Sequence, residues 1–173
     1  CCALPLERNL PELLTHALAM ARQVYASHVR GLPLARLICL GTPFYAPMLR
    51  ELMLKNGELT GLPSEAWGIL EFRHGPRSWA DDRCLITAIP GKQTLSFDRR
   101  AARELVDYGA LVLWCAPDAP EGAIPVPWNA RRGSLEESLA LLAFQVGLAA
   151  ELGRERQVDA AHPRHIAHHV EVL

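Results

Sequence analysis

Hydrophobic positions along this chain follow two rhythms. Between residues 9 and 30 they recur every three or four positions (Leu10, Leu13, Leu14, Ala17, Leu18, Ala21 and Tyr25), which is one face of an α-helix. Asn9 can cap that helix, Glu12 can close the capping box, and Pro11 is tolerated in the first turn. Gly31-Leu32-Pro33 ends it. From Ala35 onward the rhythm changes to short apolar runs alternating with helical segments. Strands are predicted at 36–40, 65–68, 84–89 and 110–116, with a fifth, edge-like strand at 123–128 whose prolines keep it from the sheet centre. Helices are predicted at 46–60, at 96–109 with Ser96 as cap, and at 134–152. The last opens on the box Ser134-x-x-Glu137 and takes Gly153 as its stop. It is apolar nearly all round, so both of its faces need cover, and a partner subunit is one candidate to cover one of them.

Strands and helices alternating at these lengths predict an α/β domain: a three-layer αβα sandwich around a five-stranded, mostly parallel sheet. In such sheets ligands sit at the carboxyl ends of the strands, where strand order reverses. That places the loops after Gly41 (with Thr42), Gly68 and Ile89 at a site.

Bulk composition narrows the class. A length of 173 residues suits one domain with a real core. Half the residues are apolar and 21% are charged, as in globular proteins. The net charge of −1 gives no reason to expect nucleic acid or an anionic membrane as partner. Charged residues interrupt every apolar run before the ~18 residues a membrane span needs. Cys39, Cys84 and Cys115 lie inside strand-like runs and read as small buried hydrophobes, so a reducing cytoplasm is the expected setting. Cys1-Cys2 lack the flanks of a signal peptide, and a first residue other than Met suggests a portion of a longer protein.

The chemistry concentrates between residues 46 and 76. Glu51, Lys55 and Glu58 share one helical face at i, i+4 and i+7. They can be a solvated ion-pair stripe worth about 0.3–0.5 kcal/mol per pair, or the charged wall of a proton-transfer site. Glu71-Phe72-Arg73-His74-Gly75-Pro76 follows. The spacing Glu-x-x-x-Lys-x-x-Glu, then Ser64-Glu65-Ala66-Trp67, then the His-Gly-Pro segment, resembles the second sugar isomerase (SIS) domain. This domain type occurs in glucosamine-6-phosphate synthase, related glucosamine-6-phosphate deaminases and tagatose-6-phosphate ketose/aldose isomerases. The similarity runs from about Leu34 to the C-terminus.

The resemblance implies a flavodoxin-like SIS fold. It divides the chain into a connector helix (1–33), the SIS domain (34–155) and a tail over the active site (156–173). It implies an intramolecular oxidoreductase, a phosphosugar isomerase when complete, acting on hexose or hexosamine 6-phosphates through an enediol. Glu58 matches the proton-shuttling glutamate, with Glu51 and Lys55 flanking it. His74 matches the ring-opening histidine that reaches the neighbouring subunit, which implies a homodimer, and Glu71 supports the loop. No cofactor or metal is implied. The chain departs from the family in two places. The Ser-x-Ser-Gly-x-Thr phosphate clamp is replaced by Ile89-Pro90-Gly91-Lys92-Gln93-Thr94, which keeps only Thr94 and the cation Lys92, so a preceding SIS domain is expected to supply the clamp. In the tail, His168 stands where the family has its catalytic lysine; as the matching catalytic residue it can serve as an acid/base but cannot form a Schiff base, which argues for isomerisation over amine transfer. The histidines at 162, 165, 168 and 169 are weak evidence for zinc without Cys or carboxylate partners. The alternative to an enzyme is a non-catalytic phosphosugar-binding or dimerisation module.

Overall fold

The computed structural model describes residues 10–127, 130–159 and 161. Five strands, β1 (Arg36–Gly41), β2 (Ser64–Gly68), β3 (Cys84–Ile89), β4 (Leu111–Trp114) and β5 (Ile124–Pro125), form one sheet in the order β2-β1-β3-β4-β5. Every neighbouring pair is parallel, so the sheet is wholly parallel, with the doubly wound order whose reversal lies between β1 and β3.

The two sheet faces carry different helices. Leu37, Leu85 and Leu113 pack towards α1 (Leu10–Val24) and α5 (Leu135–Glu155), and Cys39 and Ile89 pack beneath α2 (Ala46–Thr60). Ile38, Leu40, Ile86, Val112 and Trp114 face the short α3 (Ile69–Phe72) and α4 (Leu95–Asp107). Strands buried on both faces are apolar throughout rather than alternating, which is why these runs were readable. The three-layer α/β expectation therefore holds. Among the described residues no helix is long and apolar enough to cross a membrane.

A line of buried polar groups ties the sheet to α2 and α5. Asn56 donates to the Cys39 sulfur, Gln145 donates to Asn56, and Thr87 donates to Gln145 at 2.9 Å. Each group has a partner, as buried polar atoms require.

Several local expectations need correction. The first helix ends its α-turns at Val24 and passes through one π-turn, Tyr25–Val29; its expected cap, Asn9, lies outside the described residues. Both flanks of α5 are covered from within the chain, by α1 on one side and α2 on the other, so α5 needs no partner subunit to cover it. Gly153 does not stop α5, which runs on to Glu155. It is a glycine because α2 passes so close that a side chain there would strike the Leu59 carbonyl. Ser96 does not cap α4: the cap position is Thr94, whose hydroxyl is committed elsewhere. The edge strand is only Ile124–Pro125, because Pro125 has no N–H to give the ladder and Pro127 follows it.

Candidate functional site

The carboxyl ends of β1, β2 and β3 open onto two adjoining cavities. The first, about 380 Å³, is walled by Gly41 and Thr42 after β1, Ala46, Leu49 and Arg50 of α2, Trp67 and Gly68 of β2, Glu71 of α3, and Thr94 with Asp98 at the start of α4. The second, about 400 Å³, shares Thr42, Pro43 and Thr94 and adds Tyr45, Lys92, Arg132 and Gly133. The reversal of strand order therefore creates a concave site of the size small ligands use.

Local sequence explains each wall. Pro43 opens the 3-10 turn Pro43–Tyr45, which leads directly into α2. Tyr45 is buried and its hydroxyl donates to Glu137 Oε2 at 2.6 Å; the Gly133 amide donates to the same oxygen, also at 2.6 Å. Ser134 caps α5 by accepting from the Glu137 amide. The capping-box glutamate is thus turned outward from its own helix to clamp two loops at the cavity mouth. Burial, reinforced by the Glu137 carboxylate, pushes the Tyr45 phenol well above its ordinary value.

The β3–α4 loop is built around Asp98, which is 1% exposed. Its Oδ2 accepts from the Gly91 amide at 2.9 Å and from the Thr94 hydroxyl at 2.6 Å. Its Oδ1 is buried and has no hydrogen-bond partner. The loop expected to cradle a phosphate thus gives one amide and its hydroxyl to an internal carboxylate. Only glycine fits at position 91, where a side chain would collide with Thr42 and Thr94.

Of the sequence-predicted residues, Thr42, Glu71 and Thr94 line the first cavity, and Thr42, Lys92 and Thr94 the second. Glu71 accepts from the Gly68 amide and so caps α3. Glu51, Lys55 and Glu58 are not among the residues lining either cavity. They sit on a half-exposed flank of α2 opposite its buried residues Leu49, Leu52 and Asn56. Lys55 Nζ lies 2.7 Å from Glu58 and 3.9 Å from Glu51. The Glu58 hydrogen bond pushes the Lys55 ammonium up. His74 is exposed in the turn after α3, its amide donating to the Glu71 carbonyl. That turn is held by Arg73, which forms a two-point pair with Glu104 of α4 at 2.6 and 3.0 Å. His168 lies outside the described residues, as does the histidine-rich tail.

Sequence reasoning missed Asp98, Arg50 and the Tyr45–Glu137 clamp. Thr94-x-x-x-Asp98 at a helix start was the one available signal, an acidic side chain in the first turn being favoured there anyway.

No protein-family model matches the chain, and no curated protein does. Solved structures do. The C-terminal domain of glucosamine-fructose-6-phosphate aminotransferase from Francisella tularensis superposes with a TM-score of 0.76 at 19% identity, covering 88% of this chain and 44% of that one. Glucosamine-6-phosphate deaminase from Thermotoga maritima gives 0.72 at 22%, covering 91% and 45%. Tagatose-6-phosphate ketose/aldose isomerase from Escherichia coli gives 0.64 at 20%, covering 89% and 47%. The chain thus spans less than half the length of these three, and its fold is that of a sugar isomerase domain.

Proposed function

We propose that this domain binds a sugar phosphate and, in a dimeric assembly with a preceding SIS domain, carries the proton-transfer groups of an aldose–ketose isomerase acting on hexose or hexosamine 6-phosphates. The observation that carries the reading is where the charged stripe lies. Glu51, Lys55 and Glu58 are displayed along an outer flank of α2, and His74 is exposed on a turn pinned to α4. Groups displayed this way act on a substrate held between this surface and an apposed domain, and the match covers less than half of each of the three similar structures, which leaves room for one.

In that arrangement His74 delivers a proton to the ring oxygen as the anomeric hydroxyl loses its own, opening the ring. Glu58 removes the proton from C2 of the aldose to give the enediolate, a proton passes from O2 to O1, and Glu58 returns its proton to C1 to give the ketose. Lys55, whose ammonium Glu58 already holds, stabilises the negative charge that develops on the enediol oxygen. The phosphate is held by the partner domain together with Lys92, the Thr94 hydroxyl being given to Asp98. A coupled isomerase assay of the full-length protein with hexose and hexosamine 6-phosphates tests this. Glu58→Gln should lower kcat by at least 100-fold with little change in KM, and His74→Asn should slow turnover of closed-ring substrate more than of open-chain analogue. Full activity in both variants would refute it.

One observation favours the second reading, a binding or dimerisation module without catalysis. Asp98 occupies donors that the clamp of a self-sufficient domain would offer to phosphate. Retention of sugar-phosphate binding with no turnover in the full-length protein would select it.

A further inference from the structure

The line of buried polar groups between the sheet and its helices runs one way. The Thr87 hydroxyl of β3 donates to the Gln145 oxygen of α5 at 2.9 Å, and the Gln145 amide nitrogen donates to the Asn56 oxygen of α2 at 3.0 Å. The Asn56 amide nitrogen donates in turn to the Cys39 sulfur of β1 at 3.3 Å. Thr87, Asn56 and Gln145 are each at most 2% exposed, and burial keeps the Cys39 thiol protonated by pushing it up to about 12. No member is charged, and each bond demands one orientation of the amide it uses. Apolar contacts are non-directional and less selective, whereas a buried amide turned from its partner leaves a donor and an acceptor unsatisfied.

The line meets α2 in its second half. The buried positions of α2 are Leu49, Leu52, Asn56 and Thr60, so both that follow Leu52 are polar. Asn56 and Gly57 are poor residues for a helix interior, and the Thr60 hydroxyl is spent on the Asn56 carbonyl. At the helix end, Gly153 against the Leu59 carbonyl and Arg156 on the Thr60 carbonyl fix the distance to α5. Asn56 adds direction, because its side chain bonds to a strand and a helix at once. Lys55 and Glu58 stand on this same half, roughly 100° and 160° round the helix from Asn56. Any roll of α2 that took Asn56 from Gln145 would turn both of them by the same angle. We infer that the Asn56–Gln145 bond is a positioning device: anchored at Thr87 and Cys39, it sets the roll of this half of α2 and with it the direction in which Lys55 and Glu58 are displayed. Asn56 and Gln145 are positioning residues that act through those two. That Lys55 and Glu58 do chemistry rests on the functional reading above, whereas the fixing of the helix roll rests on the buried bonds alone.

The test replaces the line by apolar groups, Asn56→Leu, Gln145→Leu and Thr87→Val together, so that no amide or hydroxyl of the line is left stranded. In backbone-amide NMR of the full chain, the resonances of residues 53–60 should double or broaden in this variant while those of β4 stay single. In the full-length protein, kcat for isomerisation of hexose or hexosamine 6-phosphates should fall at least tenfold, with KM within twofold of wild type. Leu105→Ala, a cavity on the opposite face of the sheet, controls for lost stability alone and should leave kcat of the folded protein within twofold. If the triple variant does not fold, Gln145→Met, which breaks the same bond and leaves Asn56 on Cys39, is read in the same two ways. Single, sharp resonances for residues 53–60 in the variant would overturn the inference, and so would a kcat within threefold of an active wild type. Doubled or broadened resonances there, with no turnover in wild type, would overturn the isomerase reading and leave the positioning of the flank standing.

Discussion

Removing the Glu137 carboxylate should unlatch the mouth of the site, and the structure sets the size of the effect. Glu137 is 3% exposed and receives two hydrogen bonds at 2.6 Å, from the Tyr45 hydroxyl and the Gly133 amide. In Glu137→Ala both donors lose their acceptor. Each orphaned group costs about 1–3 kcal/mol, and loss of an acidic residue from the first turn of α5 adds about 0.3–1 kcal/mol. Water reaching the partly exposed Gly133 amide offsets some of this, so about 3 kcal/mol is expected. Tyr45→Phe removes one bond and leaves the carboxylate with Gly133, so about 1.5 kcal/mol is expected. Urea unfolding of both single variants and the double variant measures the pair directly, and a coupling of at least 1 kcal/mol is expected. The pH dependence gives an independent reading. The folded Tyr45 phenol titrates above its unfolded value of 10.0, so its contribution is fully present below about pH 10 and is lost as pH rises from there towards the folded value. Wild type should therefore lose stability above pH 10 more steeply than Tyr45→Phe. A Glu137→Ala cost below 1 kcal/mol, or parallel pH profiles, would refute the clamp.

Other outcomes follow from single residues. Burial pushes the Cys39 thiol up to about 12 and raises Cys84 and Cys115 as well, so peptide mapping after iodoacetamide at pH 8.5 should find all three unmodified in the folded chain and modified in urea. Gly153→Ala should destabilise by about 2–3 kcal/mol, because α5 must move away from the Leu59 carbonyl; a thermal scan showing no change would mean that the two helices are not so closely packed. Arg73→Ala should free the His74 turn for about 1 kcal/mol of global stability, since the pair with Glu104 is one-third exposed, and hydrogen exchange should rise at the His74 amide more than in the sheet.

Much of the fold was legible because the relevant signals are local. The α2 limits, Ala46–Thr60, follow from the break before Pro47 and from Gly61, which adopts the left-handed conformation that ends the helix. β1, β3 and β4 are apolar because both faces of the sheet are covered there. What failed depended on contacts between distant residues. A glycine near a helix end reads as a stop, and nothing local distinguishes that from Gly153, which is small because of α2. Cover for α5 looked like a partner's task until α1 was seen against it. At the site, Glu51, Lys55, Glu58 and His74 stood out by spacing, but spacing does not say which way a helix face turns. Asp98 was passed over because its importance lies in meeting an amide seven residues earlier in the chain and in the oxygen left over.

The most direct test of the account is solvent-deuterium incorporation at C1 and C2 of hexose and hexosamine 6-phosphates by the full-length protein. The enediol mechanism predicts exchange in at least one of these sugars with wild type and its loss in Glu58→Gln, with sugar-phosphate binding retained. Exchange that persists in Glu58→Gln, or its absence in wild type despite measurable binding, would contradict it.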